Sequence, residues 1–434
     1  MIARPVLLDV TRLVSRSWTR RYSTGIDRVC YAYLDQFGPR AQAVVQHRGV
    51  LRVLTPRHSD TLFAMLTGPD SQFRSRMMTF APRAIATAAP RVDGRQAIYL
   101  NVSHTDFDLS DHIGWTRASD LRPVYLLHDL IPITHPHFCR PHAVRRHRGR
   151  VLNALATGAG IIVNSAATAE DLASFAASQG VRLPSVLTAP LAGAPLQHQA
   201  ATAAAADPYF VCVGTIEPRK NHLALLQLWD RLVARLGDLA PRLVVIGQWG
   251  SGSDPVRATL RTNGRLRDHV TIIDRCADGD MARLVSGAEA LLMPTLAEGF
   301  GLPLVEALEL GTPVIASDLP CFRELGQGIP TLLDPHDLDA WEGAIRSFSG
   351  DGGDRYRQLG LMAGFRPYRW SDHFAGVEAW LETLSSWSGT TRSGPVPALD
   401  LHDHDVPRSE TSGWMGRPPD TGFVAGLHPT PIDR

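Results

Sequence analysis

The chain is nearly without lysine. Of the 44 basic residues among its 434, a single one is Lys, at position 220, and the others are all Arg. Positive charge is supplied almost everywhere by guanidinium. The one ammonium is therefore either a chance surface residue or the mark of a place where a compact charge is wanted. Cysteine is scarce as well. Cys30, Cys139, Cys212, Cys276 and Cys321 are scattered, with no Cys-x-x-Cys pair. That spacing disfavours a zinc site or a disulfide framework and fits a reducing cytosol. No run of about 18 uncharged apolar residues is present, so a spanning helix is not expected. The start, MIARPVLLDV, lacks the long apolar stretch and cleavage site of a signal peptide and reads as a buried strand. The arginines are not interleaved with aromatics, which argues against nucleic acid as a partner. A cytoplasmic protein is the expectation.

What is present is enough for more than one core. Hydrophobic residues make up 44% and charged residues 20%. At about 150 residues per domain the length predicts two or three domains. The net charge of +1 conceals a contrast: residues 1–200 carry +10, while residues 201–434 carry −9. Two domains with different partners follow from that.

Both halves alternate strand and helix. In the first, 5–10, 97–102, 124–127 and 160–163 read as strands. Helical spacing runs over 26–37, 151–155 and 166–177, the last with Ser165 as its N-cap. The small residues at 201–207 read as a linker. The second half repeats the rhythm, with strands at 209–213, 243–246, 270–273, 290–293 and 314–316. Its helices are expected over 222–236, 280–286 and 303–310, and a late amphipathic helix over 371–385. Two doubly wound parallel sheets are the fold class this predicts. Beyond Ser388 the composition turns to Gly, Pro, Ser, Thr, His and Asp, as in a disordered tail.

Two motifs carry chemistry. Glu298-Gly-Phe-Gly-Leu-Pro-Leu-Val-Glu306 places two carboxylates eight residues apart around two glycines and a proline. Pro303 suits a first helical turn and Gly311 the position just past a helix end. The motif thus runs from a strand end into a helix N-terminus, where open parallel sheets bind ligands. Glycines admit a close ligand, and helix amides favour a phosphate. The two carboxylates suit the hydroxyls of a sugar or ribose instead. The second motif, Gly214-Thr-Ile-Glu-Pro-Arg219-Lys220-Asn221, again follows a strand and opens a helix. Gly214 suits a tight turn, and Asn221 suits a cap. Arg219 and Lys220 are two adjacent cations able to neutralise a diphosphate without a metal. A solvated basic helix start is the plainer reading, but positive charge there opposes the helix dipole.

With these residues in view, the chain resembles the retaining nucleotide-sugar glycosyltransferases of family 4, and among them bacterial polysaccharide mannosyltransferases. The resemblance rests on VGTIEPRKN (213–221), EGFGLPLVE (298–306), LGTPVIASD (310–318), HDLIP (128–132) and STGIDRV (23–29), in order and spacing over residues 5–386. It implies the GT-B fold: two Rossmann-like domains facing a cleft, with the C-terminal helix crossing back to the N-terminal domain. The implied layout is an acceptor-binding domain at 1–200, a linker at 201–207, a nucleotide-sugar domain at 208–370, a helix at 371–387 and a tail at 388–434. It also implies roles. Arg219 and Lys220 bind the donor diphosphate. Glu306 holds the ribose, and Glu298 contacts the donor sugar. The amides of Phe300, Gly301 and Leu302 lie against sugar and phosphate. His128 sits beside the sugar, and Gly25 approaches the diphosphate from the other domain. No protein nucleophile is implied, since a diphosphate oxygen takes the acceptor's proton. The donor is a nucleotide-diphosphate sugar, GDP-mannose being favoured, with no further cofactor. The acceptor is a glycan or a polyprenyl-diphosphate-linked one.

Some features stay open on sequence. The acidic triplets at 106–108, 278–280, 337–339 and 403–405 read as solvated loop acids rather than a metal site. The histidines of 135–147 match no zinc spacing and read as a basic surface. With Arg12, Arg16, Arg20 and Arg21 they form a basic face that suits either an anionic membrane surface or solubility alone. Other functions on this framework are a non-catalytic scaffold or a nucleotide-sugar epimerase. A dehydrogenase lacks the Gly-x-Gly-x-x-Gly it needs. From composition, a chain ending at Ser388 is expected to keep full turnover. A large loss of turnover on that truncation would refute a dispensable tail.

Overall fold

The structure is a computed structural model that describes residues 6–20, 24–47, 50–89, 97–194, 208–349 and 353–385. The proposed linker at 201–207 and the tail from Ser388 lie outside them. In chain order the strands of the first half are β1 (Val6–Asp9), β2 (Ala41–His47), β3 (Val50–Val53), β4 (Ile98–Asn101), β5 (Arg122–Leu127), β6 (Gly160–Val163) and β7 (Ser185–Thr188). They form one sheet ordered β3-β2-β1-β4-β5-β6-β7. Every pairing is parallel except β2 with the edge strand β3. The strands β1 and β6 are buried at every residue. That is why they read as unbroken apolar runs and not as alternating ones.

The second half supplies β8 (Tyr209–Val213), β9 (Arg242–Ile246), β10 (Val270–Ile273), β11 (Leu291–Met293), β12 (Val314–Ser317) and β13 (Thr331–Leu333). These make a fully parallel sheet ordered β10-β9-β8-β11-β12-β13. Its core holds Phe210, Leu226, Trp229, Leu243 and Ile315, and the buried Trp229 indole donates to the Pro241 carbonyl at 2.8 Å. The winding direction reverses between β8 and β11. Gly214 follows the first of these strands, and the Glu298 loop follows the second. Both motifs therefore leave the carboxyl ends of neighbouring strands, where a doubly wound sheet opens its crevice.

The expected strands and helices are present, with ends shifted by a residue or two. The helix expected at 280–286 spans Asp278–Ser286, and 151–155 is the last part of a helix spanning Pro141–Thr157. Further helices had not been anticipated: Thr11–Thr19, Pro56–Leu66, Phe73–Thr87, Ser110–Ala118 and Ile131–Thr134 in the first half, and Asp254–Thr262, Pro320–Gly326, Leu338–Phe348 and Gly353–Met362 in the second. The physical reason is clear at Phe73–Thr87. It contains Pro82, and only Phe73, Met77 and Ala84 are buried, so little apolar periodicity betrays it. The edge strand β7 buries none of its residues fully, so it too carries a weak pattern.

The C-terminal helix, Trp370–Ser385, follows the second sheet but packs on the first half. The Tyr33 hydroxyl donates to His373 Nε2 at 3.0 Å, while His373 Nδ1 donates to the Pro190 carbonyl at 3.0 Å. The Phe374 ring sits edge-on to Tyr33 and Phe37, at 5.1 and 5.9 Å. The Trp380 indole donates to Ser185 Oγ at 2.9 Å. Gly160 leaves room for that indole: a Cβ there would come within 2.4 Å of the ring. Phe374→Ala is expected to cost about 3 kcal/mol through the cavity it leaves, read as a lowered urea midpoint.

Candidate active site

The loop after β8 turns on Gly214, whose φ of 149° favours glycine. A Cβ at Gly247, the residue after β9, would lie 1.9 Å from the Gly214 carbonyl oxygen, so both strand ends are glycine where the loops meet. The chain then runs through a short 3-10 turn, Pro218–Lys220, into the helix His222–Leu236. Asn221 does not cap that helix through its side chain. It takes a left-handed φ of 58°, and its amide faces the Pro335 carbonyl at 3.4 Å. The turn directs both cations at the neighbouring loop.

That loop delivers Glu298. Its Oε2 accepts from Lys220 Nζ at 2.5 Å and from Arg219 Nη1 at 2.9 Å. Arg219 also donates to the Ala297 carbonyl at 2.7 Å and to Glu217 at 2.8 Å. The side chains are largely shielded: 12% exposed for Lys220, 19% for Arg219 and 14% for Glu298. Burial pushes the Glu298 carboxyl up, but Lys220 and Arg219 outweigh it and hold it down at about 2. Two cations, Arg219 and Lys220, thus stand with two carboxylates, Glu298 and Glu217, beside a helix start. The helix is Leu302–Glu309, with Gly301 at its N-cap and Pro303 in its first turn. Its N-terminal amides and dipole add to the same field.

Gly301 has a φ of 104°, and a Cβ on it would strike Phe322 at 2.5 Å. Phe300 is buried, with its ring toward Tyr368. Gly299 touches the other half of the chain. A Cβ there would fall 2.3 Å from the His128 carbonyl oxygen and 2.7 Å from Asp129 Cβ. Ser165 Oγ donates to the Gly299 carbonyl at 2.7 Å. Gly25 approaches the same loop, 3.1 Å from Leu302 Cδ1 when given a Cβ. The imidazole of His128 is buried and donates from Nε2 to the Val102 carbonyl at 2.9 Å. Burial pulls it down to about 4, so it is neutral at pH 7.

Glu306, on the helix itself, is 5% exposed. Its Oε1 accepts from the Ala194 amide at 3.1 Å and from Arg28 Nη1 at 2.7 Å. Arg28 Nη2 continues to Asp278 Oδ1 at 2.7 Å. Burial raises the Glu306 carboxyl, with Arg28 and the Ala194 amide pulling it back and Asp278 pushing it up.

The structure thus brings Arg219, Lys220, Glu298, Gly214, Phe300, Gly301 and Leu302 into one corner, with Gly25 and His128 facing it. Glu306 lies further along the helix. Sequence reasoning missed Arg28 and Asp278 as its neighbours. Arg28 stood inside the STGIDRV motif, and that was its only signal. Other expectations are corrected. Arg12 and Arg16 do not form an open basic face: both pair with the buried Asp27, at 2.6 and 2.8 Å. Asp106 and Asp108 are not solvated acids but hold Arg146, and Asp108 also holds Arg150. His147 is buried, with Nε2 donating to the Asp129 carbonyl at 3.1 Å, because its helix packs that face inward. Among the described residues, no three His, Cys, Asp or Glu side chains converge as metal ligands, and no helix is long and apolar enough to cross a membrane.

Residues 195–360 match the family described as glycosyl transferases group 1. A 242-residue alignment, 52% of this chain, is 31% identical to the serotype-specific mannosyltransferase WbdA of Escherichia coli and covers 29% of it. Over 166 residues, 36% of the chain, it is 34% identical to the phosphatidyl-myo-inositol mannosyltransferase of Mycobacterium tuberculosis, covering 41% of that protein. The chain spans less than half the length of these relatives. In architecture it is similar to Anabaena HepE in complex with UDP-glucose, with a TM-score of 0.59 at 14% identity, over 87% of this chain and 99% of that one. Sucrose-phosphate synthase from Thermosynechococcus elongatus is similar too, with a TM-score of 0.57 at 15% identity, over 88% and 99%. The fold is GT-B.

The Glu298 cluster has a stability signature. Its carboxyl lies below the unfolded value of 4.5. Its contribution is therefore full above that value and lost as the pH falls toward 2. Lys220→Ala should destabilise the chain at pH 7, and the deficit should narrow below pH 4.5. Denaturant melts at stepped pH read this directly, and a deficit constant with pH would contradict it.

Proposed function

We propose, for a chain whose residues 195–360 match the family described as glycosyl transferases group 1, that it is a retaining hexosyltransferase using a nucleotide-diphosphate sugar. The observation that carries this is the pair Arg219 and Lys220 gathered on Glu298 beside the N-terminus of Leu302–Glu309. Two cations and a helix dipole form a site for a dianionic leaving group. When the diphosphate enters, it takes over both cations. Glu298 is then released to accept from hydroxyls of the donor sugar.

The bond from the anomeric carbon to the diphosphate oxygen breaks, leaving oxocarbenium character on the sugar. Arg219 and Lys220 stabilise the negative charge that develops. The acceptor hydroxyl attacks from the face the diphosphate leaves, and its proton passes to a diphosphate oxygen. Glu306 accepts from the ribose hydroxyls. His128, neutral and held by Val102, shapes the sugar side of the cleft and does not act as a cation. Gly25 permits the first half to close on Leu302.

Mannose is the favoured hexose, because the relatives named above are a serotype-specific mannosyltransferase and a phosphatidyl-myo-inositol mannosyltransferase. The acceptor is a growing glycan or a polyprenyl-diphosphate-linked one, in surface or exopolysaccharide synthesis at the inner face of the membrane.

The test is calorimetric titration with GDP, UDP and ADP in EDTA. GDP is expected to bind, and Lys220→Ala to weaken it by about a hundredfold, the scale of a lost charge-assisted contact to phosphate. Tighter binding of UDP would reassign the donor base. No binding of any of the three would favour the scaffold reading.

A further inference from the structure

The two carboxylates of the Glu298–Glu306 motif are served differently. Both cations of Glu298 come from its own half of the chain. The cation of Glu306 comes from the other half. Arg28 lies on the helix Gly25–Phe37, which packs with the first sheet, and its guanidinium bridges Glu306 and Asp278 with one nitrogen on each, both at 2.7 Å. The connecting segment closes in as well. The Ala194 amide donates to the same Glu306 oxygen, and a Cβ on Gly193 would lie 3.0 Å from Glu306 Cγ.

The contacts fall on one side of the carboxylate. Arg28 and Ala194 both use Oε1. Arg28, Gly193, Ala194, Asp278 and Leu302 also line a cavity of about 490 Å³, so this bridge borders open space and not packed core.

We infer that Arg28 is a positioning residue of the nucleotide site: reaching from the first half, it holds Oε1 of Glu306 and leaves Oε2 to the vicinal hydroxyls of the ligand. The inference rests on the reading of Glu306 as the ribose carboxylate. It makes the nucleotide site complete only when the two halves are closed, because one of its fixed charges belongs to the acceptor side. A ribose needs an ionised acceptor there. The charged groups facing Glu306 are Arg28 from the Gly25 helix, Asp278 from the neighbouring helix and Glu309 from its own helix. Two of the three are acids, so Arg28 is the one charged group that favours the ionised carboxyl against burial, alongside the Ala194 amide. Removing it raises the Glu306 carboxyl further, and nucleotide binding is then lost at a higher pH as the pH falls.

The experiment is titration of the full chain with whichever of GDP, UDP and ADP binds tightest, from pH 5 to pH 8. It is run on the wild type, Arg28→Ala, Arg28→Lys and Glu306→Gln. Arg28→Ala is expected to weaken binding by about tenfold at pH 8 and to move the acidic limb up by about one pH unit. Arg28→Lys restores the limb but only part of the affinity, because an ammonium does not span two carboxylates. Glu306→Gln abolishes the limb. Arg28→Gln repeats the limb shift should the alanine variant fail to fold. Wild-type affinity and limb in Arg28→Ala and Arg28→Gln, with binding lost in Glu306→Gln, would overturn the role of Arg28 alone. Wild-type behaviour in Glu306→Gln would overturn the ribose reading and the inference with it.

Discussion

A single carboxylate oxygen, Oε2 of Glu298, sets much of the rest. Arg219 and Lys220 are adjacent in sequence and would repel each other if both faced the same space. Sharing this largely shielded carboxylate lets them point the same way, toward the crevice, and with Glu217 on Arg219 the charge is balanced before any ligand arrives. The same contact ties the loop after β11 to the loop after β8. Backbone bonds reinforce it: the Leu296 amide donates to the Arg219 carbonyl at 2.8 Å, and Thr295 Oγ1 donates to it at 3.0 Å. With that loop fixed, the start of the helix at Leu302 is fixed, and Glu306 follows one turn further on.

Closure of the cleft depends on the absence of a side chain. Gly299 rests against the backbone of His128 and the Cβ of Asp129, and Ser165 anchors its carbonyl from the first half. Any Cβ at Gly299 would drive the halves apart by more than a small adjustment, since the nearest opposing atom is the His128 backbone oxygen and the Asp129 Cβ cannot swing away from its own Cα. Glu324 adds a contact of the same direction, accepting from the Ala166 amide at 3.0 Å at the start of a first-half helix. The two motifs legible in sequence therefore touch: HDLIP packs on EGFGLPLVE. The C-terminal helix, anchored by His373 and Trp380 to the first half, ties the second half back in covalent continuity.

Much of this could be read from the residues, and for a physical reason. Parallel strands buried on both faces are continuous apolar runs, and loops that bind anions need glycines and cations at strand ends. Those signals are local, so the two sheets and the Glu298 loop emerge from sequence. What escaped is non-local or weakly patterned. Arg28 and Glu306 are 278 residues apart, and nothing near either names the other. Asn221 looked like a cap, but the turn it closes needs a left-handed residue, which Asn tolerates. The helix Phe73–Thr87 buries too few residues to show a period.

The arginine count misled for a reason that also explains the lone lysine. A basic half suggested a basic surface, yet Arg12, Arg16, Arg146 and Arg150 are spent on Asp27 and Asp108, each a carboxylate that offers two oxygens to planar forks. Guanidinium is the right group there. At Glu298 the geometry differs. Arg219 already spreads its fork over Glu298, the Ala297 carbonyl and Glu217. The second cation meets the same oxygen end-on, with its stem laid against Gly214, where a Cβ would sit 3.4 Å from Lys220 Cε. A second planar fork would need another in-plane acceptor and more room than that glycine leaves. A compact ammonium needs neither. In a chain that otherwise uses arginine throughout, the lysine stands where the room is small and a single carboxylate oxygen is shared.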